Sequence, residues 1–256
     1  MPIGISTLCT FGKTFKALNR YAEVAPPLIE IQDDWHDRLD SKRIKRLREF
    51  AASSGVRYTV HTPIVDVNIA SASDPFRKLS VKLVTQSIKC AYDLGANLAV
   101  VHPGSTSPLD SFYPNSHWAY NISSLRKITS YAEDLGVTVA IENMAAHTNC
   151  FLQRPHEFRR LMDDGIYAKM TLDVGHAHTL SLLKEYVDKF KDQIAHVHIH
   201  DNMGEVDQHL AVGKGTIDWK WLGSRLSFTS IDGIIESLSL DDAVASLERS
   251  RHFFNS

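Results

Sequence analysis

Seven short stretches of this chain carry side chains able to hold a divalent cation or move a proton. They are Val60-His61-Thr62, Val101-His102-Pro103, Ile141-Glu142-Asn143, Leu172-Asp173-Val174-Gly175-His176, His196-Val197-His198-Ile199-His200-Asp201, Asp207-Gln208-His209 and Ile235-Glu236-Ser237. Imidazole nitrogens and carboxylate oxygens are the usual ligands of zinc, and carboxylate-rich sets also suit manganese or magnesium. Each residue alone has a plainer reading. A single His is more often a satisfied polar residue than a ligand, and a single Asp or Glu often caps a loop. Gathered in one place, so many ionisable groups would be very costly to bury without a cation. Divalent metal is therefore the expected cofactor.

Spacing carries part of this reading. Asp207-x-His209 puts two side chains on one side of an extended segment, because alternate residues share a face. Asp173-x-x-His176 lets a strand end and the turn after it point into one mouth. His196, His198 and His200 also share one face, so spacing alone does not select the ligand among them.

The elements that must position these groups are short β-rich runs alternating with amphipathic helical runs. Strands are expected at 3–9, 28–32, 58–62, 98–102, 137–143, 169–174, 195–200 and 231–237. The clearest helix opens at Asp74-Pro75, as cap and first-turn proline, and carries Phe76, Leu79, Leu83, Val84, Ile88, Ala91 and Leu94 at helical spacing. Gly95 stops it, and Gly55 and Gly136 repeat that ending. Eight strand–helix units in 256 residues predict a single closed (β/α)8 barrel filling residues 1–256 as one domain. Active sites in that fold sit at the C-terminal strand ends, where the seven stretches fall. The long loops 103–117 and 201–216 follow strands and are expected on the same face.

Composition is that of a soluble globular protein, with a hydrophobic fraction of 43%, a charged fraction of 23% and a net charge of −2. Such a charge gives no basic footprint for nucleic acid. Cys9, Cys90 and Cys150 have no paired spacing, and neither a signal peptide nor a membrane-length apolar run is evident, so a cytoplasmic protein without membrane contact is expected. Cys9 and Glu30 lie near strand ends, with packing or a local hydrogen bond as their ordinary reading. Interior packing is likewise the default for Trp35, Phe112, Tyr113, Trp118, Trp219 and Trp221, which otherwise suit the wall of a sugar site. The basic run from Lys42 to Arg48 reads as the solvated face of a helix.

From His61 to Glu236 the order of these residues resembles the xylose isomerase-like barrels, and within them the endonuclease IV branch (the family 2 AP endonucleases). The resemblance implies three zinc ions. His61, His102 and Glu142 match the ligands of one, Asp173, His198 and Glu236 those of a second that Glu142 bridges, and His176, Asp207 and His209 those of a third. DNA-cleaving members insert an aromatic wedge shortly after the first His, where this chain has Ile64-Val65-Asp66-Val67, and they have a longer segment between His198 and Asp207. The stretch from His200 to Trp219 looks more like the sugar isomerase and epimerase relatives. Those use one ion, on residues matching Glu142, Asp173, His198 and Glu236.

Three functions follow, with one to three ions. In the leading one, a sugar or sugar-phosphate isomerase or epimerase, the resemblance makes Glu142 and Glu236 the catalytic pair, with His200 and Lys214 binding substrate. The alternative is an endonuclease IV-like phosphodiester hydrolase with a trinuclear zinc site and DNA as partner. A non-catalytic metal-binding barrel is the third.

Overall fold

A computed structural model describes residues 2–226 and 231–254. Its strands are β1 Ile3–Ser6, β2 Leu28–Gln32, β3 Arg57–His61, β4 Leu98–Val101, β5 Thr138–Glu142, β6 Lys169–Asp173, β7 Ile194–Ile199 and β8 Asp232–Ile235. They pair in parallel, in sequence order, and β8 closes on β1. All eight expected strands are present and the barrel is closed. The first is shorter than expected. Residues Thr7–Thr10, Cys9 among them, form a 3-10 turn because the Ser6 hydroxyl caps the Leu8 N–H.

Helices cover the outside: α1 Thr14–Val24, α2 Ser41–Ser54, α3 Asp74–Leu94, α4 Ser116–Leu135, α5 Pro155–Asp163, α6 Val174–Thr179, α7 Leu183–Phe190, α8 Trp219–Arg225 and α9 Leu240–Phe254. Gly55, Gly95 and Gly136 end α2, α3 and α4 in left-handed backbone with φ of 74°, 85° and 69°. Ser73, not Asp74, occupies the cap position of α3, and the Asp74 carboxylate instead pairs with Arg77 and Lys78. Phe76 and Leu79 are exposed. The reason is length: 21 helical residues span about 31 Å, roughly twice the five-residue strand beside them, so the first turns have no sheet to cover. The basic run lies on α2 with Lys42, Lys45, Arg46 and Arg48 exposed, as expected.

Alternation along the strands separates two interiors. Ile29, Ile31, Val60, Val101, Ile141, Leu172, Val197 and Ile199 join the main apolar core with the helices. Glu30, Thr59, His61, Glu142, Thr171, Asp173, His196 and His198 stand in the opposite phase, and all are buried. The barrel therefore surrounds a polar column that opens at the strand ends. Among the described residues no helix is long and apolar enough to cross a membrane.

Candidate metal centre

Six of the nine candidate ligands sit where a strand runs out, while His176 stands on α6 and Asp207 and His209 stand in the 201–216 loop. His61, Glu142 and Asp173 are the last residues of β3, β5 and β6. Asp173 and His198 are direct partners across β6 and β7. His102 and Glu236 follow β4 and β8, and the Glu236 N–H still bonds the Ile199 carbonyl.

Glu142 faces two groups at once. Its Oε2 lies 3.3 Å from His61 Nε2 and 3.0 Å from His102 Nε2. Its Oε1 lies 3.3 Å from His198 Nδ1 and 3.3 Å from His176 Nδ1. His198 Nδ1 is also 3.7 Å from Asp173 and 3.6 Å from Glu236, and it is buried with no hydrogen-bond partner among the described residues. A third group gathers His176 Nε2 at 3.2 Å and His209 Nε2 at 3.1 Å from Asp207 Oδ2. Ligand atoms converge as His61, His102 and Glu142, as Asp173, His198 and Glu236, and around His176, Asp207 and His209. All nine residues expected to hold metal thus lie in one mouth.

Backbone carbonyls orient the rings. His61 Nδ1 is 2.9 Å from the Thr62 carbonyl and His176 Nδ1 is 2.8 Å from that of Asn143. A carbonyl only accepts, so Nδ1 carries the proton and Nε2 keeps its lone pair for a cation, as in metal sites with oriented histidines. Burial opposes ionisation of Glu142 and Asp173, yet neighbouring imidazoles overcome it, and both carboxyls lie well below the usual carboxylate range. The same proximity raises His176 and His198 against burial, and moves His209 up to about 9. Such mutually stabilised, buried charges with an orphaned ring nitrogen are a donor set that a divalent cation fits.

Asp207 and His209 come together by a different route from the expected extended pair. His209 has φ of 48°, in the left-handed region that His enters more readily than most residues. The hub of this loop is Asp201. Its backbone pairs both ways with Leu210, and its carboxylate accepts from the Gly213 and Ile217 N–H groups and from Trp219 Nε1. Asn143 does comparable work for Asp173, with its amide bonded to both the N–H and the carbonyl.

Glu30 was missed. It is fully buried, with Oε2 at 2.8 Å from His196 Nε2 and Oε1 at 3.1 Å from His198 Nε2. The only sequence signal was a carboxylate inside an apolar run. His200, expected at the substrate, is fully buried with its ring nitrogens toward Asp173 and Asp207, which leaves it no surface for one. Lys214 is exposed on the 201–216 loop. Trp118 and Trp219 are packed inside as expected, whereas Trp35, Phe112 and Tyr113 are 58%, 77% and 65% exposed. Trp35 stands beside Ile64 and Val65, because Asp34 caps its N–H and also accepts from theirs.

A family model described as "Xylose isomerase-like TIM barrel" matches residues 22–251. This chain belongs to that family. An uncharacterised protein of Methanocaldococcus jannaschii is 33% identical to this xylose isomerase-like barrel over 257 residues, covering 97% of this chain and 87% of the relative. A solved D-tagatose 3-epimerase-like protein is 31% identical, with a TM-score of 0.93 over 99% of this chain and 97% of its own. A probable endonuclease 4 of Aquifex aeolicus is 26% identical over 237 residues, covering 83% of this chain and 81% of the relative. The chain is thus similar both to a protein named as epimerase-like and to one named as a probable endonuclease.

Proposed function

We propose that this xylose isomerase-like barrel is a divalent-metal-dependent isomerase or epimerase acting on a sugar or sugar phosphate. The observation that carries the reading is the placement of Glu142 and Glu236. They reach the same His198 nitrogen, at 3.3 and 3.6 Å, from β5 and from the end of β8. Asp173 completes the four-residue set. Similarity to the D-tagatose 3-epimerase-like structure supports the choice of substrate class.

A divalent ion held by Glu142, Asp173, His198 and Glu236 would polarise a sugar carbonyl and its neighbouring hydroxyl. Proton transfer falls to the chain. One carboxylate, ionised, takes the proton from the carbon beside the carbonyl, and the other, protonated, delivers its own proton from the opposite side. Gln32 Nε2 donates to Glu236 Oε1 at 3.3 Å, which leaves Oε2 turned to the mouth. Zinc suits the His-rich parts of the cluster, and manganese or magnesium suits the carboxylate-rich part. Lys214 is the group we assign to a substrate phosphate. The whole of residues 1–256 forms one domain in this reading, and its unpaired thiols suit the cytoplasm.

Free ketoses and ketose phosphates incubated with protein and Mn2+, Zn2+ or Mg2+ test it, with products separated by chromatography. A new epimer or isomer that disappears with chelator is expected. No conversion of any sugar, with nicking of an abasic-site duplex, would overturn the reading. That second function, phosphodiester hydrolysis, is favoured by His61 and His102 beside Glu142, two histidines for which a four-residue site has no use, and by the endonuclease 4 relative.

A further inference from the structure

His176, His200, Asp207 and His209 each bring a ligand atom within 4.8 Å of all the others. Only three of them belong to the ligand set that the resemblance implies, and His200 is the addition. Its Nε2 is 3.1 Å from both carboxylate oxygens of Asp173. An ionised carboxylate only accepts, so Nε2 carries the ring proton and Nδ1 carries the lone pair. That Nδ1 is buried, has no hydrogen-bond partner among the described residues, and lies 3.6 Å from Asp207 Oδ1. An unpaired buried acceptor is destabilising unless something fills its lone pair.

The local fold is shaped around this ring. A Cβ on Gly175 would sit 2.0 Å from His200 Cε1, so only glycine leaves room there. The left-handed turn at His209 stacks its ring on His200, with centroids 4.0 Å apart and planes at 20°.

We propose that His176, His200, Asp207 and His209 form a closed zinc site with four protein ligands, whose ion clamps the 201–216 loop and takes no part in chemistry. Three nitrogens and one oxygen suit a tetrahedral zinc ion. Structural zinc sites are closed by four protein ligands, whereas catalytic ones keep a position open for water or substrate. Chemistry then belongs to the neighbouring Glu142–Asp173–His198–Glu236 site. Asp173 links the two, since it accepts the proton of a ring whose other nitrogen would be metal-bound. The inference deepens the metal-dependent reading above, because it divides the same mouth between a working ion and a structural one.

Zinc alone is the probe. Full-length protein is loaded with zinc and dialysed, the retained ions are counted by elemental analysis, and affinity is read by competition with a chromophoric chelator. His209→Ala defines the site and should retain one ion fewer per chain than wild type. His200→Gln keeps an amide donor near Asp173 but removes the Nδ1 ligand. His200→Asn keeps a ligand atom near Nδ1 but gives up the donor to Asp173. The expected result is that His200→Gln loses the same ion as His209→Ala, its affinity falling by more than the ~10–100-fold cost of losing an outer partner. His200→Asn should retain more of it. Circular dichroism checks folding, and Asp207→Asn, expected to lose the same ion, replaces His200→Gln if that variant does not fold. Wild-type zinc affinity in His200→Gln would overturn the proposal and leave His200 as a support for Asp173. An ion that survives in His209→Ala as in wild type overturns the four-ligand site while the proposed function stands. No zinc in wild type would sink this site, and failure to hold manganese or magnesium as well would sink the proposed function with it.

Discussion

Glu30 Oε1 lies 3.1 Å from His198 Nε2 on the floor of the mouth, and the opposite nitrogen of that ring faces Glu142, Asp173 and Glu236. A carboxylate on β2 thus reaches across the barrel interior to orient an imidazole on β7. The other Glu30 oxygen holds His196 and the Thr59 hydroxyl. Two histidines of β7 and the one just after it therefore do three jobs at three depths. His196 pairs with Glu30, His198 turns one nitrogen to the cluster, and His200 bonds Asp173.

Replacing Glu30 tests this arrangement. Glu30→Gln should lower metal affinity at the His198 site by about 10–100-fold, the usual cost of losing a group that orients a ligating His. Competition with a chromophoric chelator measures it, and unchanged affinity would deny Glu30 any part in the site. Glu30→Ala should also destabilise the fold by about 3–5 kcal/mol in urea titrations, because it strips a buried partner from His196.

His196 and His198 should separate stability from metal. His198→Ala is expected to lose the ion of the four-residue site, since its Nδ1 stands between three carboxylates. His196→Ala should keep that ion at wild-type stoichiometry and lower the urea midpoint. Elemental analysis of both variants decides, and equal metal loss would contradict the division of roles.

Much of this was legible in the sequence, for a physical reason. Parallel strands between amphipathic helices, with left-handed glycine stops at Gly55, Gly95 and Gly136, leave few topologies for 256 residues. The gathering of the candidate ligands was legible because His61, Glu142 and Asp173 end their strands, and strand ends are where this fold presents side chains. The partners of Glu30 were not, because His196 and His198 are more than 160 residues away and meet it only once the barrel closes. Asp201 was hidden for a similar reason: five groups spread along the loop converge on it, and no local spacing announces that. His200 was misplaced because a two-residue period assigns a face and says nothing of depth.

Glu236→Gln should cut turnover by at least ~10²-fold while the fold persists. The amide keeps the shape beside Gln32 but cannot accept a substrate proton, and it weakens an anionic ligand. Turnover and thermal midpoint are measured together. A variant with wild-type turnover would mean that Glu236 is neither proton acceptor nor essential ligand.

Cys90 offers a check outside the site. Burial pushes its thiol up to about 11, so the thiolate is about one part in a thousand at pH 8. The sign follows from the charge: desolvation disfavours the anion, so reactivity rises about tenfold per pH unit until the pH passes 11. Native protein treated with iodoacetamide at pH 8 should therefore be alkylated far more slowly at Cys90 than unfolded protein, as read by peptide mass spectrometry. Equal rates would mean that this thiol is not shielded by the packing of α3 against the core.

The central claim is metal-dependent proton transfer at a sugar carbon, and deuterium uptake tests it most directly. Metal-loaded protein is incubated in D2O with the ketose or ketose phosphate panel, and the hydrogens beside the carbonyl are followed by proton NMR. The account predicts that at least one sugar loses the signal of a single carbon-bound hydrogen, that chelator stops the loss, and that Glu236→Gln does not support it. Full retention of every such signal in the presence of wild-type protein and metal, while an abasic-site duplex is cleaved, would contradict it and assign the mouth to phosphodiester hydrolysis.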